Sequence, residues 1–93
     1  MRRSKIELYI STLEALAYNG PMKIMKITLK VRMNCSPLRA IIDDLIQKDL
    51  VEEREFGKHK VVYAATPKAK TILSHFNEFN KMLPMREAHN QPG

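Results

Sequence analysis

Catalysis or a metal would need the histidines, the cysteine or the adjacent carboxylates of this chain. The histidines, His59, His75 and His89, are scattered, and Cys35 alone cannot complete a zinc cluster with them at finger spacing. The paired acids Asp43-Asp44 and Glu52-Glu53 lie in a net-negative block with no partnered histidine or ligand set. No glycine-rich phosphate loop is present. The sequence therefore supports no enzyme, no metal, no cofactor and no evident small-molecule ligand. Cys35 cannot form an internal disulfide, which suits a reducing cytoplasm. A redox-sensing thiol near a helix N-terminus is one reading of it, and an inert small turn residue is the commoner one.

The remaining chemistry is charge. The 93 residues carry a net +6, unevenly spread. Residues 20–40 hold Lys23, Lys26, Lys30, Arg32 and Arg39 with no acid, a net +5. Residues 41–55 set six acids against Lys48 and Arg54, a net −4, and residues 56–70 hold Lys58, Lys60, Lys68 and Lys70 with no acid, a net +4. Two basic blocks around an acidic one imply a basic face and an acidic face. Basic faces on small domains meet nucleic acid, because neutralising phosphates releases condensed counterions. A merely solvated basic surface is the bland alternative.

Elements must position these charges. Length predicts one domain with one small core. No run of eighteen apolar residues exists, so a spanning helix and a membrane partner are not expected, and the basic N-terminus does not resemble a signal peptide. Residues 4–18 read as a helix with Ser4 and Glu7 as a capping box and a stripe of Ile6, Ile10, Leu13 and Ala17, widened by Tyr9 and Leu16. Asn19-Gly20-Pro21 stops it.

Residues 22–33 read two ways, as a helix with Ile24, Ile27, Thr28 and Val31 inward, or as a strand alternating at Ile27, Leu29, Val31 and Met33. From Lys30 to Leu50 a short turn feeds an amphipathic helix, begun by Asn34 or Ser36 with Pro37 in the first turn. Leu38, Ile41, Ile42, Leu45 and Ile46 share one face and Ser36, Arg39, Ala40, Asp43 and Gln47 the other.

Val51–Phe56 and Lys60–Ala65 read as a hairpin with its tip at Gly57-Lys58-His59. Thr66-Pro67 opens a last helix to about Met82, in which Ala69, Ile72, Phe76, Phe79 and Leu83 repeat at a/d spacing. The division expected is a domain over 1–83, including the helix 67–83, and a frayed tail over 84–93.

The segments RRSKIELYISTLEAL and GPMKI, the run Leu38–Val51 with its terminal Leu-Val, and Tyr63 followed by Thr66-Pro67-Lys68 resemble, over about residues 2–83, the small archaeal winged-helix DNA-binding proteins whose C-terminal helix forms a dimeric coiled coil. The resemblance implies an α+β, mainly α fold: a winged helix-turn-helix with a two-stranded wing and a C-terminal dimerisation helix. It selects the helical reading for 24–32, after a very short strand around Met22-Lys23. Two departures stand out. Families of this type often place glycine where Asp49 stands, and the last helix holds only two heptads.

The function implied is a transcriptional regulator, cytoplasmic and at the nucleoid, binding double-stranded DNA through the helix at 34–48 and the wing at 56–60. An architectural nucleoid protein and a winged-helix protein-interaction module are the alternatives. Arg39 is the base-reading candidate, Asn34 and Ser36 serve as caps or touch phosphate or base edges, and Asp43 and Asp44 argue for a shallow insertion. Lys26, Lys30 and Arg32 would straddle the backbone, with Lys58, His59 and Lys60 reaching phosphates from the wing. A symmetric homodimer is expected through Ala69, Ile72, Phe76, Phe79 and Leu83, antiparallel by the resemblance.

Overall fold

The computed structural model describes residues 4–55, 57–58 and 60–82. In chain order these form α1 (Lys5–Asn19), α2 (Ile24–Val31), α3 (Cys35–Gln47), β1 (Val51–Glu55), β2 (Val61–Ala65) and α4 (Pro67–Lys81). The expected strand boundary Phe56, the wing residue His59, the seam residue Leu83 and the tail over 84–93 lie outside the described residues.

α1 begins as its sequence dictates. The Ser4 hydroxyl accepts from the Glu7 amide at 3.2 Å, and the Glu7 carboxylate accepts from the Ser4 amide at 2.9 Å, so two orphan donors of the first turn are satisfied. Gly20, at φ 84, ends the helix and returns its amide to the Leu16 carbonyl. The buried stripe is Thr12, Leu13 and Leu16. Ile6 departs from expectation: it is 65 % exposed, because the first turn of α1 reaches beyond the core cluster. Thr12 went unread because a buried hydroxyl breaks an apolar stripe; it donates to the Leu8 carbonyl at 2.8 Å and so needs no partner from another element.

Residues 24–31 are helical, and Ile27 and Val31, four apart, are both buried. The strand reading fails here because its alternate residue Leu29 would need the core side and is instead 77 % exposed. Met22 makes a single two-way bridge to Tyr63, with N···O distances of 3.1 and 2.8 Å, in place of a short strand. That bridge fixes the entry to α2 against β2.

In α3 the apolar face is buried at Leu38, Ile41, Ile42 and Leu45, and the whole polar face, Ser36, Arg39, Ala40, Asp43 and Gln47, is exposed. β1 and β2 pair antiparallel from Val51 opposite Ala65 to Glu55 opposite Val61. One buried threonine joins three elements. Thr66 donates its hydroxyl to the Asp49 carbonyl at 2.8 Å, accepts from the Ala69 amide at 3.2 Å, and gives its own amide to the Leu50 carbonyl at 3.1 Å. The exit of α3, the start of β1 and the start of α4 are thus tied at one point.

Asp49 sits at that exit with φ 62, in the left-handed region. A Cβ costs roughly 1–2 kcal/mol there, somewhat less for Asp, while glycine adopts the conformation freely but loses more entropy on folding. Asp49→Gly is therefore expected to raise stability by about 0.5–1 kcal/mol, read as a higher urea midpoint at unchanged slope. An unchanged or lower midpoint would show that the Asp side chain supplies compensating contacts.

Candidate nucleic-acid interface

The open front of α3 carries Ser36 at its second position and Arg39 and Ala40 one turn further on. Ala40 leaves room for close approach. Asn34 occupies the N-cap position with extended backbone, but its side chain makes no capping hydrogen bond. Capping therefore does not occupy the Asn34 amide, contrary to the task expected of it, and like Ser36 it is exposed.

Lys26 and Lys30 on α2 and Arg32 in the turn are all exposed. Arg32 holds φ 59 and ψ 52, and its amide closes α2 onto the Thr28 carbonyl. Lys58 and Lys60 lie exposed at the wing tip, where Gly57 at φ 68 makes the turn. The fold thus brings Lys23 and Lys60, far apart in sequence, to one groove beside Arg39 of α3.

Arg39 has company that spacing did not reveal. With Lys23, Met25, Glu53, Lys60 and Tyr63 it lines a groove among the start of α2, α3 and the wing. The phenol of Tyr63 and the thiol of Cys35 lie beside its guanidinium and push its pKa further above an already high value. An arginine is charged at any physiological pH, as a guanine- or phosphate-binding group requires. Finding Tyr63 and Glu53 in the sequence would require knowing how the hairpin folds over α3; Glu53 opposite Tyr63 is a register fact, not a periodicity.

The two neighbouring aspartates separate. Asp43 lies exposed on the front of α3, whereas Asp44 turns toward α1, accepting from the Tyr9 hydroxyl and from Lys48 Nζ at 2.7 Å. Asp44 therefore does not face the groove, and only Asp43 carries the argument for shallow insertion. The Lys48 hydrogen bond, and then the Tyr9 hydroxyl, hold the Asp44 carboxyl below the ordinary range.

A depressed carboxyl stabilises the fold above its unfolded pKa, near 3.9. That contribution fades as pH falls through the folded value. Tyr9→Phe is expected to move the Asp44 titration, followed by carboxyl-carbon NMR, back upward, and to shrink the stability lost on acidification below about pH 4. An unmoved titration would mean that the lysines, Lys48 first and then Lys5, set it without the tyrosine.

Cys35 is half-buried at the first position of α3, with no second cysteine in the chain. No group of three histidine, cysteine or acidic side chains able to hold a metal occurs among the described residues. Nor is any helix among them long and apolar enough to cross a membrane.

The seam expected on α4 divides. Ala69 is 0 % exposed and, with Leu73, packs into the chain's own core. Ile72 is 39 % and Phe79 58 % exposed. Phe76 is half-buried and shares a shallow groove with Ile6, Ile10 and Asn80. The stripe that α4 buries against α1 therefore follows Ala69 and Leu73, and Ile72 and Phe79 lie to one side of it.

Three helices with an antiparallel hairpin after the third, that third helix presenting an open polar front, define a winged helix-turn-helix domain. The chain belongs to the winged helix-turn-helix family, whose model matches residues 2–84.

Among solved structures, the chain is similar to BpsR of Bordetella bronchiseptica, whose DNA binding is regulated by 6-hydroxynicotinic acid (TM-score 0.75, 16 % identity, 85 % of this chain and 61 % of that one). It is similar to a MarR family protein from Bacillus stearothermophilus (TM-score 0.74, 18 % identity, 96 % and 59 %). It is similar too to the transcriptional regulator BldR from Sulfolobus solfataricus (TM-score 0.69, 24 % identity, 91 % and 70 %). These likenesses are of fold. The chain spans 61 % and 59 % of the length of the first two. No curated protein matches it in sequence.

Proposed function

We propose that this chain is a transcriptional regulator that binds duplex DNA at the nucleoid as a symmetric homodimer. The first turns of α3 enter the major groove, and α2 and the wing hold the flanking phosphates. One observation carries the reading: Ser36, Arg39 and Ala40 lie on an exposed helix front, and Arg39 shares one groove with Lys23 and with Lys60 of the wing. Arg39 reads a base edge, where a guanidinium bonds two acceptors of guanine at once. Lys26, Lys30, Arg32, Lys58 and Lys60 contact phosphates and carry no sequence information. Asn34 and Ser36 approach the backbone or base edges from the start of the helix. The exposed strip Ile72–Phe79 on α4 provides the two-fold contact that sets two α3 helices on one face of the duplex.

The roles separate by mutation. Arg39→Ala is expected to weaken binding to a selected site by roughly 1–3 kcal/mol more than binding to random duplex. Lys58→Ala with Lys60→Ala is expected to weaken all sequences alike. Competition binding with a selected and a randomised duplex measures both. A uniform loss for Arg39→Ala would make it a phosphate contact and favour the architectural role.

A further inference from the structure

The outer face of α2 presents two large apolar side chains to solvent, Met25 at 65 % and Leu29 at 77 % exposure. They are four residues apart and so lie on one side of the helix, one turn from each other. Beside them run Lys26 and Lys30, and with Pro21, Met22, Lys23 and Val62 these residues form one groove of ≈ 720 Å³. No carboxylate lines it, and none of its three lysines makes an ion pair among the described residues.

Phosphate contact explains the lysines but leaves Leu29 without a use, because a duplex backbone offers an aliphatic side chain nothing to bury against. The chain's own folding explains it no better, since the core side of α2 is already filled by Ile27 and Val31. Apolar residues at i and i+4 beside an unpaired basic row match the inverse pattern, a helix with apolar anchors flanked by carboxylates. We propose that the outer face of α2 is a docking site for an acidic amphipathic helix of a protein partner, anchored on Met25 and Leu29 and oriented by Lys23, Lys26 and Lys30. Lys26 and Lys30 are also assigned to DNA phosphates, so such a partner competes with the duplex; this consequence, but not the docking itself, rests on the DNA-binding reading.

The probe is a designed helical peptide of about four turns, with leucines at i, i+4 and i+7 and glutamates beside them. A control peptide of equal charge carries serines for the leucines. With the full chain, NMR shifts are expected at Met22, Met25, Lys26, Leu29, Lys30 and Val62. Met25→Gln with Leu29→Gln keeps every charge and is expected to weaken the peptide at least about tenfold, on the scale of losing one buried apolar anchor, while Leu29→Gln alone, outside the groove that Met25 shares with Arg39, leaves duplex affinity within about twofold.

Equal binding of the serine peptide, or undiminished binding by the double variant, would overturn the proposal by reducing the site to charge. A drop in duplex affinity matching the drop in peptide affinity would assign the face to DNA. A change in sedimenting mass in the double variant would assign it to a second copy. If wild type binds the peptide at this face but no duplex, the DNA-binding reading fails and the docking site stands.

Discussion

Ile72→Lys with Phe79→Lys is expected to turn a dimer into a folded monomer that binds its DNA site roughly 10²–10⁴-fold more weakly, the range lost when two linked contacts become one. Both residues are exposed in the single chain, so charging them removes no core contact. Ala69 and Leu73, one helical step away, are fully and almost fully buried and must not be touched. Two such strips facing across a two-fold would each remove an aromatic ring and an aliphatic side chain from water. Full burial of one such side chain stabilises by about 1.5–3 kcal/mol. Ile6 and Met82 are also exposed apolar residues, at the ends of α1 and α4. Circular dichroism at unchanged helix content, a halved mass by light scattering and weakened duplex binding together make the result. A wild type that is monomeric at tens of micromolar would remove the two-fold from the account.

Much of this fold is legible in the residues because several signals agree at each boundary. Ser4 with Glu7, Gly20 with Pro21, and Thr66 with Pro67 each mark an end of a helix by a local hydrogen-bond or steric requirement, and each is used that way. The two faces of α3 follow from 3.6-residue periodicity alone, since one side meets a core and the other meets solvent. Residues 22–33 are different. Their β-branched side chains suit either period, and what selects the helix is tertiary, the burial of Ile27 and Val31 against the other helices.

The heptad on α4 misleads for a related reason. In one chain an apolar a/d series and an i, i+4 core stripe overlap at Ala69, and only the position of α1 makes Leu73 a core residue and Phe79 a surface one. The site is legible to the same depth. The two basic flanks are visible as charge blocks, but the Tyr63 phenol and the Glu53 carboxylate beside Arg39 arise from the hairpin's fold over α3, which no spacing encodes. Asp44 likewise counts as an acid against deep insertion until its partner Tyr9, thirty-five residues away, is seen.

The second large effect concerns salt, and it tests the central claim that the face formed by α2, α3 and the wing binds phosphate. Five cationic side chains per protomer are assigned to phosphates: Lys26, Lys30, Arg32, Lys58 and Lys60, all exposed. If each displaces one condensed counterion, log affinity should fall against log salt with a slope of roughly −4 to −5 per protomer engaged, and about twice that for a dimer. Such slopes correspond to losses of roughly 10³–10⁵ between 50 and 200 mM salt when 6–10 contacts are made. Lys58→Ala with Lys60→Ala should flatten the slope by about two units per protomer. The measurement is a salt titration of duplex binding by fluorescence anisotropy, with wild type and the double lysine variant side by side. A steep slope that the variant flattens is the result this account predicts; no duplex binding at low salt, or a slope unchanged by the variant, would contradict it.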